Sequence, residues 1–475
     1  MYRNRPSTAI DFYKADHRRQ YPEGTQFVYS NLTPRSDRLF NWENKSGKVI
    51  FFGLQGFIKA YLIDLWNKEF FHLPKSEVVA HFKRRMDTSL GPVADSIETK
   101  HIEDLHDLQF LPIHIKALPE GTQVPIGVPM LTVVNTNSDF FWLTNYLEDM
   151  LSNMLWKPTT SATIAFEYKK MLVNFAKKTG APLDFVGFQG HDFSFRGMSG
   201  IEDAMMTGAG HLTSFCGTDT IPSIDYLEDY YNCDATKELI GASVPATEHS
   251  VMCAGGKVDE LLTFKRLITE LYPSGFVSIV SDTWDFWKVI TEFTVTLKEE
   301  ILARDGKTVF RPDSGDPVEI ICGNDLLGFS SPEAKGAVEC LWDIFGGTTN
   351  EQGYKMLNEK VGLIYGDSIT LQRAQAILEG LERKGFASSN IVFGIGSYTY
   401  QHVTRDTFGF AMKATHAIVN GVDIPMFKEP KTDSGTKKSA RGLLKVDENL
   451  NLIQNCTQEE SNEGLLKTVF FDGKL

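Results

Sequence analysis

The sequence predicts an α/β protein: a (β/α) barrel packed with a mixed, β-rich α+β domain. Three observations carry this. From about residue 183 to about 398, seven short apolar runs alternate with helix-length segments, the rhythm of right-handed βαβ units and a parallel sheet. Each run ends in polar residues, as expected of a barrel whose strand ends converge on one ligand-binding face. The first 155 or so residues instead mix strand and helix patterns. The expected division is 1–155 for the mixed domain, 156–398 for the barrel, and 399–475 for a C-terminal segment returning to the first domain.

Composition bounds the function. A chain of 475 residues is long for one simple core, and 42% apolar with 23% charged residues describes an ordinary globular protein. The formal charge of −13 argues against a general nucleic-acid binder. No apolar stretch approaches the ~20 residues that span a bilayer, so no membrane partner is expected. The start, Met1-Tyr-Arg-Asn-Arg-Pro6, has no apolar core of a signal peptide. Six scattered cysteines without a Cys-x-x-Cys pair read as reduced thiols in a cytoplasmic protein.

In the first domain, 27–32 reads as a strand. Segments 113–117 and 124–134, joined by the turn 119–122, read as a hairpin with alternating faces. Leu143, Leu147, Met150, Leu151, Met154 and Leu155 lie on one stripe of a helix over 139–156. Ser161 is expected to cap a second helix carrying Ile164, Tyr168, Leu172 and Phe175.

The seven barrel runs are 185–188, 212–215, 243–246, 276–280, 308–310, 363–365 and 391–393, with helices expected over 258–271, 284–303, 333–345 and 371–384. After Gly396 come Thr404-Arg-Asp406, a strand near 408–412, and a lysine-rich stretch 428–445 that reads as a mobile loop.

The polar clusters after these runs, with the later Thr-Arg-Asp, supply Arg196, Arg311 and Arg405 for anions. They supply Asp219, Asp282, Asp313 and Asp367 for metal, hydroxyl or amide groups, and His249 beside Glu248 adds a titratable ring. The densest cluster, 309–317, delivers Arg311, Asp313 and the turn residue Gly315 in quick succession. Three arginines facing several carboxylates suit a substrate with separated phosphates, a sugar diol and bound Mg²⁺. The sequence has no Walker A motif, no dinucleotide fingerprint and no Gly-x-Ser-x-Gly.

The motifs Asp11-Phe-Tyr-Lys14, Tyr29-Ser30 with Arg35, His191-Asp-Phe-Ser-Phe-Arg-Gly197 and Gly217-Thr-Asp-Thr220 follow one another along the chain. After them come Ser243-Val-Pro-Ala-Thr-Glu-His-Ser250, Arg311-Pro-Asp-Ser-Gly315, Gly366-Asp367, Thr404-Arg-Asp406 and Phe427-Lys428. In this order they resemble the nicotinamide phosphoribosyltransferase family over nearly the full length. The resemblance implies a homodimer with two active sites at its interface, joining nicotinamide to phosphoribosyl pyrophosphate with Mg²⁺ and with ATP as co-substrate.

It further implies that Phe193 and Tyr13 of the partner subunit sandwich the nicotinamide ring, with Asp11 beside Tyr13 in the same motif, while Asp219 accepts the carboxamide N–H and repels nicotinate. Arg311, Arg196 and Asp313 would hold the pyrophosphate and ribose ends. Asp282 and Asp313 would organise Mg²⁺ directly or through water. Gly366, Asp367, Gly396, Ser397 and Arg405, with Arg35, Lys413 and Lys428, would form the ribose and 5′-phosphate site. His249 would be phosphorylated by ATP, its ring oriented by Glu248 and Asp282.

One departure from the family stands out: its glycine-rich phosphate turn reads Gly394-Ile-Gly-Ser-Tyr398 here, and left-handed geometry at Ser397 or Tyr398 would be strained. The competing readings are a nicotinate phosphoribosyltransferase, a non-catalytic signalling protein on the same fold, and an aldolase-like phosphate barrel. The last would need a Schiff-base lysine at a strand end.

Overall fold

The computed structural model describes residues 4–328, 331–427 and 440–475. It divides into two units: residues 1–163, 229–232 and 404–475, and residues 164–228 and 233–403. Mixed α/β architecture is present in both senses expected, with one antiparallel and one parallel six-stranded sheet.

The first unit is built on the antiparallel sheet. Its order is Val422–Pro425, Phe410–Val419, Thr25–Pro34, Leu131–Asn135, Ile113–Ala117 and Lys467–Phe471. Ile113–Ala117 alternates buried and half-buried residues, as a one-faced strand must. The expected second hairpin arm is not one strand. Gln123–Pro125 pairs with Lys48–Ile50, and only Leu131–Asn135 pairs with Ile113–Ala117. Between them Gly127 takes φ +92°, a turn conformation open to glycine.

The turn at 119–122 carries an unforeseen anchor. Half-buried Glu120 accepts from the backbone N–H of Gly53 (2.7 Å) and Gln55 (2.6 Å) and from the Tyr231 hydroxyl (2.9 Å).

The helix expected to end near residue 156 and be replaced by one capped by Ser161 is instead a single helix, Glu148–Thr179, with Pro158 inside it. Ser161 is buried and donates to the Lys157 carbonyl at 3.0 Å, so it caps nothing. Gly53 leaves room for the ring of Pro158: a Cβ there would lie 2.6 Å from it. Of the lysine-rich stretch 428–445, residues 428–439 lie outside the described residues, and Leu443–Val446 is a strand paired with Leu452–Cys456, not a loop.

The second unit holds the parallel sheet, ordered Gly217–Thr218, Gly190–Asp192, Val392–Ile395, Val361–Tyr365, Asp305–Arg311 and Ser274–Val280. Single parallel bridges, Gly217 to Ala242 and Ala246 to Ser278, connect the two edge strands through the segment 242–247. The bonds Thr218 N–H to Ala242 O (3.0 Å) and Thr247 N–H to Ser278 O (2.9 Å) make those joins, so the sheet returns on itself.

Two of the expected runs are offset. Asp184–Phe188 is a 3-10 turn, and the strand begins at Gly190; 212–215 follows a helix, and the strand is Gly217–Thr218. Leu371–Arg383 is a helix capped by the Thr370 hydroxyl. The helix expected over 333–345 breaks at Gly336, whose φ is +81°. Among the described residues no helix is long and apolar enough to cross a membrane.

Each unit buries a neutral histidine. His101 sits edge-on between Phe82 and Trp142, and burial pushes it down to about 4. His211, also down to about 4 through burial, accepts at Nδ1 from the Tyr400 hydroxyl (2.7 Å) and donates from Nε2 to the carbonyls of Gly190 and Gly217.

Both values lie below the ordinary histidine value of about 6.5. The unfolded chain therefore binds protons that the folded chain refuses, and stability present above pH 6.5 is lost as pH falls toward 4. For His101 the loss is at most about 3 kcal/mol. We predict that His101→Phe raises the unfolding temperature at pH 5 more than at pH 8, measured by thermal denaturation across that range. An unchanged pH slope would show that His101 is not the titrating group.

Candidate active site

The cleft lies at the carboxyl ends of the parallel strands. It is open, about 900 Å³ in volume. The first strand contributes Phe193 and Arg196, the second Asp219, and the bridging segment Glu248 and His249. Arg311 and Asp313, Gly366 and Asp367, and Gly396 and Ser397 follow from the next three strand ends. Asp282 lies beneath this surface, its side chain only 4% exposed.

Phe193 is placed by backbone. Its N–H donates to the Ile395 carbonyl at 3.0 Å, and its ring fills the space that a side chain at 394 would occupy. A Cβ on Gly394 would lie 2.5 Å from that ring. Beside it, Asp219 presents a carboxylate whose Oδ1 accepts from His191 Nε2 at 2.8 Å and from the Ser243 hydroxyl at 2.5 Å. Burial pushes the Asp219 carboxyl up, but the hydrogen bonds and charge of His191, the Ser243 hydroxyl and Arg311 outweigh it, holding the group below the usual carboxylate range.

Arg311 is 11% exposed and braced rather than free. Its Nη2 donates to the Thr247 carbonyl at 2.7 Å, and its Nε stands 3.5 Å from Asp313 Oδ2. Its guanidinium carbon is 5.9 Å from the Phe193 ring centre. Two buried atoms here, Arg311 Nε and Asp313 Oδ1, have no hydrogen-bond partner among the described residues. Burial, with Asp282 and Asp367 nearby, pushes the Asp313 carboxyl up against the opposing pull of Arg311 and His249. Gly366 permits this packing, since a Cβ there would lie 2.3 Å from Asp313 Oδ1.

Asp282 ties three loops together. Its Oδ1 accepts from His249 Nε2 at 3.1 Å, and its Oδ2 accepts from the Asp313 N–H (3.0 Å) and the Ser314 hydroxyl (2.5 Å). Glu248 was expected to orient the His249 ring and does not: its carboxylate accepts from the Ser250 hydroxyl, and its backbone is the cap of the helix His249–Ala254. The His249 ring, half exposed, is held by Asp282 alone.

The altered turn carries no strain. Ser397 and Tyr398 open the short helix Ser397–Tyr400, and neither takes a positive φ. The left-handed non-glycine residue of the cleft is Ser368, at φ +47°. Its carbonyl accepts from Arg373 Nη1 at 2.6 Å, and the same guanidinium lies 5.5 Å from the Tyr398 ring centre.

Asp11, Tyr13, Arg35, Arg405 and Lys413 belong to the other unit. Tyr13 is 58% exposed. Asp11 donates its N–H to Asp149, Arg35 donates to the Gly409 carbonyl, and Arg405 pairs with its neighbour Asp406. The Lys413 carbonyl accepts from Asn31 at 3.2 Å. Lys428 lies outside the described residues.

The sequence reading overlooked His191, Ser243, Thr247 and Ser314 as site residues. For His191 a signal existed: alternation along a strand puts residues 191 and 193 on one side. Among the described residues no group of three or more His, Cys, Asp or Glu side chains forms a ready-made metal cage.

Comparison with known proteins agrees with this geometry. The family model described as the nicotinate phosphoribosyltransferase (NAPRTase) family matches residues 188–474, and that of the nicotinamide phosphoribosyltransferase N-terminal domain matches residues 7–100. The chain is 62% identical to the nicotinamide phosphoribosyltransferase of Acinetobacter baylyi, over 100% of this chain and 95% of that one. It is 35% identical to that of Mycoplasma pneumoniae, over 94% and 96%.

Among solved structures, the nicotinate-nucleotide pyrophosphorylase of Pyrococcus furiosus shares the fold at a TM-score of 0.58 and 14% identity, over 99% of this chain and 91% of that one. Human nicotinic acid phosphoribosyltransferase does so at 0.52 and 14%, over 86% and 74%. Full-length identity to these relatives, together with two family models in tandem, establishes that the chain belongs to the nicotinamide phosphoribosyltransferase family.

Proposed function

We propose that this protein is a nicotinamide phosphoribosyltransferase of NAD biosynthesis, forming nicotinamide mononucleotide and pyrophosphate from nicotinamide and phosphoribosyl pyrophosphate. Family membership supports the reaction. The observation that carries the choice of pyridine is Asp219: an ionised carboxylate beside Phe193, with Oδ1 saturated by two donors and Oδ2 left to accept. A carboxamide can donate to that oxygen, whereas the carboxylate of nicotinate would be repelled.

The chemistry asks little of an acid or base. The pyridine nitrogen attacks the anomeric carbon with its own lone pair, the bond from that carbon to the pyrophosphate oxygen breaks, and its electron pair leaves with pyrophosphate. No proton moves. Phe193 offers an aromatic face to the electron-poor ring, and holding the ring behind the anomeric carbon supplies orientation. Arg311 and Arg196 stabilise the charge growing on the leaving group.

The residues fit Mg²⁺ in the manner usual for that ion, with one or two carboxylates plus substrate phosphates and water. Asp313, whose Oδ1 is buried and without a partner among the described residues, would hold the ion. Asp282, with both oxygens engaged, would support it from behind. When bound, the ion adds positive charge against the departing pyrophosphate.

ATP coupling and a shared site complete the proposal. Because a carboxylate only accepts, His249 donates from Nε2 to Asp282, and Nδ1 keeps the lone pair. That nitrogen takes the γ-phosphoryl group as its bond to ADP breaks. Exposed Tyr13, in the unit that does not contain the cleft, fits the role of a second ring face supplied across a homodimer, as Tyr13 of the partner subunit.

Three outcomes test this. Asp219→Asn should weaken nicotinamide use and admit nicotinate, at a loss on the order of 1–3 kcal/mol for the charged acceptor; turnover of both pyridines, with and without ATP, reads this directly, and an unchanged preference would remove Asp219 as the reader. Mixing inactive Tyr13→Ala and Arg311→Ala chains should restore some activity, since one hybrid site is intact; heterodimers without activity would place all residues in one subunit. His249→Ala should abolish ATP hydrolysis and the ATP-dependent gain while leaving slow transfer. Labelled ATP should leave acid-labile phosphate on the wild-type protein, and none forming would end the phosphohistidine reading.

A further inference from the structure

The side chains that hold Asp219 come from the strands on either side of it. His191 lies on the strand Gly190–Asp192 and Ser243 on the bridging segment 242–247, and both donate to the same oxygen, Oδ1. The His191 ring centre is also 5.0 Å from that of Phe193. A single histidine, 12% exposed, therefore touches both the aromatic platform and the carboxylate reader.

His191 itself is seated without slack. A Cβ added at Gly217 would lie 2.7 Å from its Nδ1, so the ring leans on bare backbone on one side and reaches Asp219 on the other. Two donors on Oδ1 stop the carboxylate from rotating about its last torsion, and a freely turning carboxylate would present either oxygen at variable height above the ring plane.

We propose that His191, assisted by Ser243, is the positioning residue that sets pyridine specificity: it locks the Asp219 carboxylate so that Oδ2 alone faces the substituent of a ring stacked on Phe193. The inference rests on the reading of Asp219 as carboxamide acceptor given above. His191 does not touch the reacting atoms; it acts through Asp219 and through the edge of Phe193.

The test compares His191→Leu, which removes the donor, with His191→Gln, whose amide nitrogen reaches as far as Nε2 and restores one, and with Ser243→Ala. For each, kcat and KM are measured with nicotinamide, nicotinate and phosphoribosyl pyrophosphate, beside Asp219→Asn. In His191→Leu the KM for nicotinamide should rise roughly tenfold, the size of one lost charge-assisted hydrogen bond. Its KM for phosphoribosyl pyrophosphate should stay within about twofold of wild type, the margin ordinary for an uninvolved substrate.

His191→Gln should recover most of that loss. Ser243→Ala should shift KM for nicotinamide in the same direction by less, which keeps the inference testable should His191→Leu not fold. Adding His191→Leu to Asp219→Asn should change pyridine preference no further, because both act on one interaction.

The inference is overturned if His191→Leu, or Ser243→Ala in its place, raises both KM values together. It is equally overturned if these variants leave pyridine preference intact while Asp219→Asn alters it. If Asp219→Asn itself leaves the preference intact, the reading of Asp219 fails first and the inference falls with it.

Discussion

Parallel strands must all deliver their carboxyl ends to one side, and here that constraint brings Asp219, Asp282, Asp313 and Asp367 into one region. Such a gathering of like charge needs compensation. Two devices provide it. Asp282 is buried and spends its oxygens on a backbone N–H, a serine hydroxyl and a histidine, thereby fastening loops that are 31 to 33 residues apart in sequence. Arg311 lies against Asp313 while its own direction is set by the Thr247 carbonyl. Neither device can be removed singly without leaving a buried charge unpaired, a loss of several kcal/mol.

Compensation is incomplete by design of the packing. Two atoms left without partners among the described residues are Arg311 Nε and Asp313 Oδ1, one a donor and one an acceptor, on two side chains that approach to 3.5 Å. A substrate bearing both phosphate and hydroxyl groups can satisfy both at once.

Much of this was legible in the sequence, for reasons that can be named. Arg311, Asp313, Asp367 and His249 follow apolar runs directly, so strand ends and chemistry coincide. The first two runs misled because 185–188 is an apolar turn, while the strand Gly190–Asp192 is made of small and polar residues that no hydrophobicity pattern marks. The long helix through Pro158 was hidden because proline ordinarily marks a helix end, and the room for its ring is left by Gly53, more than a hundred residues away. Local pattern could not reveal Glu120 as an anchor or Ser243 as a partner of Asp219, since both roles exist only through contacts distant in sequence.

The segment 242–247 is the narrowest join in the barrel, meeting its neighbours through one bridge on each side. It nonetheless carries Ser243 and Thr247, and leads into His249. Opening this seam would release the donor to Asp219, the brace of Arg311 and the His249 ring in a single event, while the paired strands elsewhere stay closed. On the proposed reading, a ligand bonded to both Asp219 and Arg311 would span that seam, and its binding would be read as amide protection along the same six residues.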